Sequence, residues 1–369
     1  MPAERPAIVS IVGTRPEAIK MAPLALALEG HAAHQILLTG QHGGLSRYFD
    51  LPGERLRQLR FDTRGSPVRM RERLHRLLCG EFEGKRIDLV LVHGDTTSAV
   101  AGAFAARDWR IPVGHVEAGL RSFDFNQPWP EEGNRVAIDA LSDLLFAPTE
   151  AAADNLRADW RAKGRIWVTG NTGIDALLQA RARVSPLPAD PRGRRLILVT
   201  CHRRENQGEP ALAVCEALKR LVRTLPVRIA LPVHPNPLAR GPVERALAGV
   251  EHIELLEPLD YDPMVRLMDS SWLILTDSGG LQEEAPALGK PVLVLRNVTE
   301  RPEALATGNL ELVGTETERI VEAVEALFAD ESKYRRMARP AFPFGDGKAS
   351  RRIVAAIGTW LAERRARAA

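Results

Sequence analysis

The sequence predicts an α/β protein of two doubly wound domains, each a parallel sheet covered by helices on both faces. Short apolar runs alternate with helical patterns along the chain, and that alternation builds parallel sheets through right-handed crossovers. The rhythm plays twice, with the Pro/Gly-rich stretch Ser185-Pro186-Leu187-Pro188-Ala189-Asp190-Pro191-Arg192-Gly193 between the halves. At 369 residues the chain is also long for a single core. The border falls within residues 170–193, and is drawn here as domains 1–171 and 172–351.

In the first half, residues 7–12 form an apolar run that feeds Gly13-Thr14-Arg15-Pro16-Glu17. Pro16 suits the first helical position and Glu17 the first turn. No GxGxxG follows, so a dinucleotide site lacks its fingerprint. Arg15 at the strand end and Lys20 one turn into the helix are either phosphate ligands or surface cations. Residues 35–39 are the next strand, ending in Gly40-Gln41-His42, and residues 51–86 are charged and helix-prone. Residues 88–92 form a strand that ends at His93-Gly94-Asp95-Thr96 before a helix over 99–107. Asp95 there is either the helix N-cap or a catalytic carboxylate. The strand 112–116 runs straight into Glu117, which is neither a cap nor on a polar face. Pro130 opens a helix on which Glu131 and Arg135 share a face, as an ion pair extending to Asp139 or as site residues. Strands at 144–147 and 166–169 complete this half.

The second half restarts with a strand at 195–200, ending in Cys201-His202-Arg203-Arg204, and a helix over 212–225. Strands follow at 227–231, ending near His234, and at 252–256, leading to Tyr261-Asp262-Pro263-Met264. The stretch 272–290 is the most informative. An apolar run at 272–275 ends in Thr276-Asp277-Ser278-Gly279-Gly280, and a helical pattern spans 281–289. A strand, a small-residue turn and a helix start aim free backbone N–H groups at a phosphate. Glu283 and Glu284 follow, and one of them suits a ribose diol. A strand at 292–295, the segment through Arg301, and helices near 316–329 and 349–364 close the chain.

Composition narrows the function classes. A hydrophobic content of 45% and a charged content of 26% describe an ordinary globular chain, and a net charge of +3 makes no case for nucleic acid or a membrane surface. The three cysteines are too few and too scattered for a disulfide framework, and no spacing suggests a metal site. No apolar run is long enough to span a bilayer and no signal-type segment opens the sequence, so a cytoplasmic location is expected.

In doubly wound folds, ligands bind beyond the carboxyl ends of the strands. Arg15, Gln41, Asp95, Glu117, His202, His234, Ser278 and Arg301 all fall there on the strand map. The first half offers the carboxylates Asp95, Glu117 and Glu131; the second offers the phosphate nest, a ribose acceptor and imidazole or cationic groups. The expected site is a cleft between two facing domains, holding a nucleotide on one side and transferring protons on the other.

The strings GTRPEAIKMAPL, VHGDTTSAVAG, IPVGHVEAGLRS, PWPEEGNR, GNTGIDAL, HRREN, PVHPNP, DSGGLQEEAPALGKPVLVLR and TERPEA resemble, in order and nearly end to end, the non-hydrolysing UDP-N-acetylglucosamine 2-epimerases. The resemblance implies the two-Rossmann fold of glycosyltransferase type B, with a C-terminal helix at about 352–369 packing back on the first domain. It also implies a homodimer with no cofactor. The reaction implied is C2 epimerisation of UDP-N-acetylglucosamine to UDP-N-acetylmannosamine, through elimination of UDP to 2-acetamidoglucal and re-addition. Carried over by position, Asp95, Glu117, Glu131 and His202 match catalytic residues. Arg15 and Ser278, Gly279 and Gly280 match phosphate contacts, Glu284 a ribose ligand, and Met264 a main-chain contact to uracil. Lys20, Arg135, His234 and Arg301 match residues lining the cleft. Many bacterial members have a second, substrate-activated site that follows the Gln-His pair. Gln41 and His42 are the candidates for such a second site, but here they run into Gly43-Gly44, where polar residues are usual in the family, so substrate activation is not expected to follow from the resemblance, and altered sugar specificity is the alternative. Alternatives are an epimerase of a modified UDP-sugar such as UDP-2,3-diacetamido glucuronic acid, a hydrolysing epimerase, and a nucleotide-sugar glycosyltransferase.

Overall fold

The computed structural model describes residues 5–61, 64–126, 129–233, 236–299 and 301–368, without the side chains of Arg204, Leu238 and Ala368. The chain forms two compact units, Met1–Ala176 with Phe344–Ala369, and Leu177–Pro343.

The first unit carries seven strands: β1 (Ala7–Val12), β2 (Ala33–Leu38), β3 (Leu56–Gln58), β4 (Leu89–His93), β5 (Val113–Val116), β6 (Leu144–Ala147) and β7 (Arg165–Val168). They pair in parallel in the order β3-β2-β1-β4-β5-β6-β7. Strands buried on both faces read as continuous apolar runs, and Leu-Val-Leu-Val-His of β4 is buried at every position. Alternate side chains serve opposite faces. Ile8, Val12, Leu38 and Leu91 pack with Met21, Leu24 and the last helix's Ile353, Ile357 and Leu361. Val9, Ile11, Leu37 and Val92 pack under the helices Pro67–Phe82 and Thr97–Asp108. The second of these helices lies close on the sheet because its facing residues are small. A Cβ added at Gly102 would stand 2.9 Å from Ile11 Cγ1.

The last helix, Ala349–Ala368, belongs to this unit. Asp175 fixes its start by accepting from the backbone N–H groups of Ala349 at 3.1 Å and Ser350 at 2.8 Å, two donors that no carbonyl of the helix itself can reach.

The second unit carries β8 (Arg195–Thr200), β9 (Val227–Pro232), β10 (Ile253–Leu256), β11 (Leu273–Thr276), β12 (Val292–Val294) and β13 (Leu310–Leu312). Their order is β10-β9-β8-β11-β12-β13, again parallel. In both sheets the strand order reverses beside the first strand of the unit, at β1/β4 and β8/β11. Those are the switch points where this architecture leaves a crevice for ligand. The edge strands β3 and β13 are absent from the sequence reading. Three residues each are too few to show a period.

His34 on β2 is a buried histidine with a structural part. Its Nε2 meets Ser10 Oγ at 2.8 Å, and burial, then the charge of Arg55, pushes its pKa down to about 4. The folded state thus binds fewer protons than the unfolded state between pH 6.5 and 4. Stability rises with pH across that window and is lost as pH falls through it. The expected imidazole titration midpoint by NMR is near 4; a midpoint near 6.5 would contradict this account.

Candidate functional site

Four strand ends of the first unit bring the predicted residues into two linked clusters. Asp95 lies just beyond β4. The N-cap of the following helix is Thr96, whose Oγ1 accepts from Ala99 N at 3.0 Å, so Asp95 is not the cap. Its Oδ2 instead accepts from Arg135 Nε at 2.7 Å and Nη2 at 2.6 Å. Asn134 Nδ2 donates to the Asp95 carbonyl at 2.8 Å. Arg135 also donates to Glu132 at 3.1 Å. Burial works against its charge, but Asp95 first, then Glu132 and Glu117, outweigh that and raise its pKa. Of the two readings of Glu131 and Arg135, the helical ion pair does not form: Arg135 turns to Asp95 and Glu132. Asp139, expected to extend that pair, goes to His115 Nδ1 at 2.6 Å and Arg121 Nη1 at 2.6 Å. Glu131 opens the helix Glu131–Leu141, and its Oε2 is buried without a hydrogen-bond partner among the described residues.

Glu117 follows β5 with φ of 69°, in the left-handed region. That conformation costs a non-glycine residue on the order of 1 kcal/mol or more and gathers at functional positions. Its Oε2 is bonded by Lys20 Nζ, accepts from Asn171 Nδ2 at 3.1 Å, and lies 3.6 Å from His93 Nε2. Burial above all pushes His93 down to about 4, so it is a neutral neighbour near pH 7. Asp95 and Glu117 thus leave adjacent strands, each held by a cation. The Glu117 carboxylate reaches towards Asp95's neighbour: a Cβ added at Gly94 would lie 3.9 Å from Glu117 Oε1.

Arg15 is exposed at the first turn of the helix Arg15–Ala27. The same turn contains a residue whose part the sequence reading underplayed. Glu17, buried, accepts from Gly13 N at 3.0 Å, Thr14 N at 2.7 Å, Thr14 Oγ1 at 2.8 Å and Thr96 Oγ1 at 2.7 Å. It fills the acceptor position of this helix start and ties it to the Asp95 loop, while burial pushes its pKa up to about 7. The capping-box spacing Thr14-x-x-Glu17 was the available signal. Gln41 and His42 sit beside this turn: Gln41 Oε1 accepts from Ser98 Oγ at 2.8 Å, and His42 Nδ1 accepts from Arg15 N at 3.3 Å.

In the second unit, the site residues gather at the ends of β8 and β11. His202 is partly exposed, with its Nδ1 3.4 Å from Asp277 Oδ1. Burial, then the Asp277 charge, pushes the neighbouring Cys201 thiol up, so it stays protonated and is no nucleophile. The helix after Ser278 is shorter than expected. It spans Gly279–Glu284, tightens to a 3₁₀ turn over Ala285–Leu288, and stops at Gly289 with φ of 66°. Ser278 N donates to Thr276 Oγ1 at 2.9 Å, whereas Gly279 and Gly280 supply the helix's first N–H groups. Two guanidinium groups flank this turn: a Cβ at Gly279 would stand 3.3 Å from Arg301 Nη2 and 3.6 Å from Arg203 Nη2. Arg203 thereby joins the candidate site beside this turn.

Arg301 Nε donates to Glu283 Oε1 at 2.7 Å, and Glu284 Oε1 accepts from Tyr261 Oη at 3.0 Å. Of the two glutamates, Glu283 is thus the arginine's partner and Glu284 the tyrosine's. Met264 lies in the helix Tyr261–Ser270, and its N–H donates to Asp260 O at 3.1 Å. His234 lies outside the described residues.

The arrangement offers carboxylates for proton transfer in one unit and an anion-binding turn in the other. A family model described as UDP-N-acetylglucosamine 2-epimerase matches residues 25–358. A UDP-N-acetylglucosamine 2-epimerase of Yersinia pestis is 44% identical over 95% of this chain and 98% of its own length. The crystal structure of UDP-GlcNAc 2-epimerase from Neisseria meningitidis bound to UDP-GlcNAc superposes with a TM-score of 0.87 at 39% identity, covering 96% of this chain and 100% of that one. A more distant likeness, to the calicheamicin glycosyltransferase CalG4 at a TM-score of 0.62 and 15% identity over 97% of this chain and 98% of that one, bears on the fold alone. It identifies the type B glycosyltransferase fold of two Rossmann-like domains. With matches of this extent, the chain belongs to the UDP-N-acetylglucosamine 2-epimerase family.

Proposed function

We propose that this protein interconverts UDP-N-acetylglucosamine and UDP-N-acetylmannosamine by inverting C2 of the sugar, without hydrolysing the nucleotide sugar. The observation that carries this reading is the pair Asp95 and Glu117: two carboxylates leaving adjacent strands, each bound to a basic side chain. The support beyond this is membership of the family and the relative solved with UDP-GlcNAc.

C2 is not flanked by a carbonyl, so its proton is poorly acidic. Elimination lets the departure of UDP help break the C–H bond. A carboxylate takes the C2 proton, the C–H electrons form the C1=C2 bond of 2-acetamidoglucal, and the C1–O bond to UDP breaks. Return reverses these steps, with the proton delivered to C2 on the opposite face and the phosphate oxygen re-forming its bond to C1. No hydride moves, so the route calls for no nicotinamide. In this reading Asp95 and Glu117 serve near C2, and Glu131 protonates or positions the intermediate. His202 assists the departing UDP. Lys20 and Arg135 hold the carboxylates in place. Arg15, Arg301 and the turn Ser278-Gly279-Gly280 hold the diphosphate, with Glu284 on the ribose. Retaining UDP between the two halves of the reaction lets the glycal be recaptured rather than lost.

Product identity tests this directly. Purified protein given UDP-N-acetylglucosamine should yield UDP-N-acetylmannosamine and no accumulating free N-acetylmannosamine. Stoichiometric free sugar and UDP would mean a hydrolysing enzyme, and inertness towards this substrate would favour a modified UDP-sugar. A homodimer in the cytoplasm is the accompanying expectation, its oligomeric part checked by light scattering.

A further inference from the structure

Asp277 follows β11 and is fully buried. Its Oδ2 accepts three hydrogen bonds, from His202 N at 2.9 Å, Arg203 N at 2.8 Å and Asn206 Nδ2 at 3.0 Å. Asn206 is itself anchored to Leu295 O at 3.1 Å. One carboxylate oxygen is therefore saturated by donors that pin the turn after β8. The other, Oδ1, has no hydrogen-bond partner among the described residues and lies 3.4 Å from His202 Nδ1. A buried carboxylate oxygen left without a donor is costly; besides the Cys201 thiol, which also neighbours the Asp277 carboxylate, the imidazole is the stronger donor facing it. The same carboxylate so holds His202 by its main chain and turns its second oxygen towards the ring.

We propose that Asp277 is the positioning residue for His202, directing Nδ1–H of the imidazole to its Oδ1 and leaving Nε2 as the nitrogen presented to the ligand. A ring nitrogen's protonation is set by the partner of the other nitrogen. The catalytic consequence rests on the part given to His202 under the proposed function, but the hold on the ring does not. If His202 assists the departing diphosphate, a ring of the wrong tautomer presents the wrong group to it.

Asp277→Asn separates this from a plain loop staple. The amide keeps an oxygen acceptor for the three donors and turns an N–H towards Nδ1, which reverses the tautomer preference. The expected result is a fall in kcat of roughly 10²-fold or more, with KM and UDP affinity changed by less than about 3-fold. Placed on His202→Asn, the same substitution should cost less than about 3-fold, because the two groups act as one unit. Equal losses in both backgrounds would overturn the proposal. Nitrogen-15 NMR of the histidine ring reads the positioning without turnover. Wild-type protein should show Nδ1–H at His202 and Asp277→Asn should not; Nε2–H in the wild type would overturn the proposal even if the variant does not fold. Normal turnover by His202→Asn alone would instead remove His202 from the reaction, a failure of the functional reading that the ring spectrum distinguishes from a failure of the positioning.

Discussion

Asp95→Asn is expected to lose turnover by roughly 10²–10⁴-fold, the range typical for removing a positioned acid or base, while binding UDP within a few-fold of wild type. The structure says why the loss should be chemical. Thr96 caps the helix that follows, and Asn134 holds the Asp95 carbonyl rather than its carboxylate. The loop and helix therefore keep their anchors when the charge is removed. What disappears is a carboxylate bonded by Nε and Nη2 of Arg135. Its charge-assisted bonds are worth about 1.5–3 kcal/mol at most in stability, so the variant should still unfold cooperatively. Initial rates, isothermal titration with UDP and urea unfolding together check this. Near-normal turnover would reduce Asp95 to the electrostatic partner of Arg135.

Glu117→Gln should be comparably damaging, by roughly 10²–10⁴-fold in kcat. Here the contacts make the neutral replacement worse than a loss of charge. Lys20 Nζ and Asn171 Nδ2 both donate to Oε2. An amide oriented with its NH₂ there meets donors with a donor. An amide turned the other way loses the oxygen that faces Gly94. Glu117 also keeps its left-handed φ of 69°, a strained geometry that serves to aim this side chain. Glu117→Gly should accordingly abolish turnover while costing less stability than losing the ion pair alone would, because glycine relieves the strained φ. Comparing kcat with the urea midpoint for the two variants checks the pair of statements. Retained activity in Glu117→Gln would show that the position serves structure alone.

Most of the fold was legible in the sequence, because fully buried parallel strands are runs such as Leu89-Val90-Leu91-Val92 and their ends are marked by small polar turns. Three-residue edge strands carry no such signal. Strand-end logic marked Arg15, Asp95 and Glu117 in one unit and His202 and Ser278 in the other as candidates. It could not say what each side chain touches. Arg135 answers Asp95, 40 residues away, rather than its helical neighbour Glu131. Glu17 binds across 79 residues to Thr96, and Asp277 across 75 to the turn of His202. Pairings at such distances depend on the strand order, which a local pattern does not contain. The anion turn changed most. Its helix is six residues long, and Arg203 and Arg301 stand beside Gly279, side chains that the local pattern of backbone N–H groups does not include.

The central claim is that C2 loses and regains a proton while UDP is detached. Incubating the protein with UDP-N-acetylglucosamine in heavy water, and following both epimers by proton NMR, tests it most directly. The expected result is deuterium at C2 of product and of recovered substrate as equilibrium is approached, with incorporation slowed roughly 10²–10⁴-fold in the Asp95→Asn variant. Interconversion of the epimers with the C2 hydrogen fully retained would contradict it.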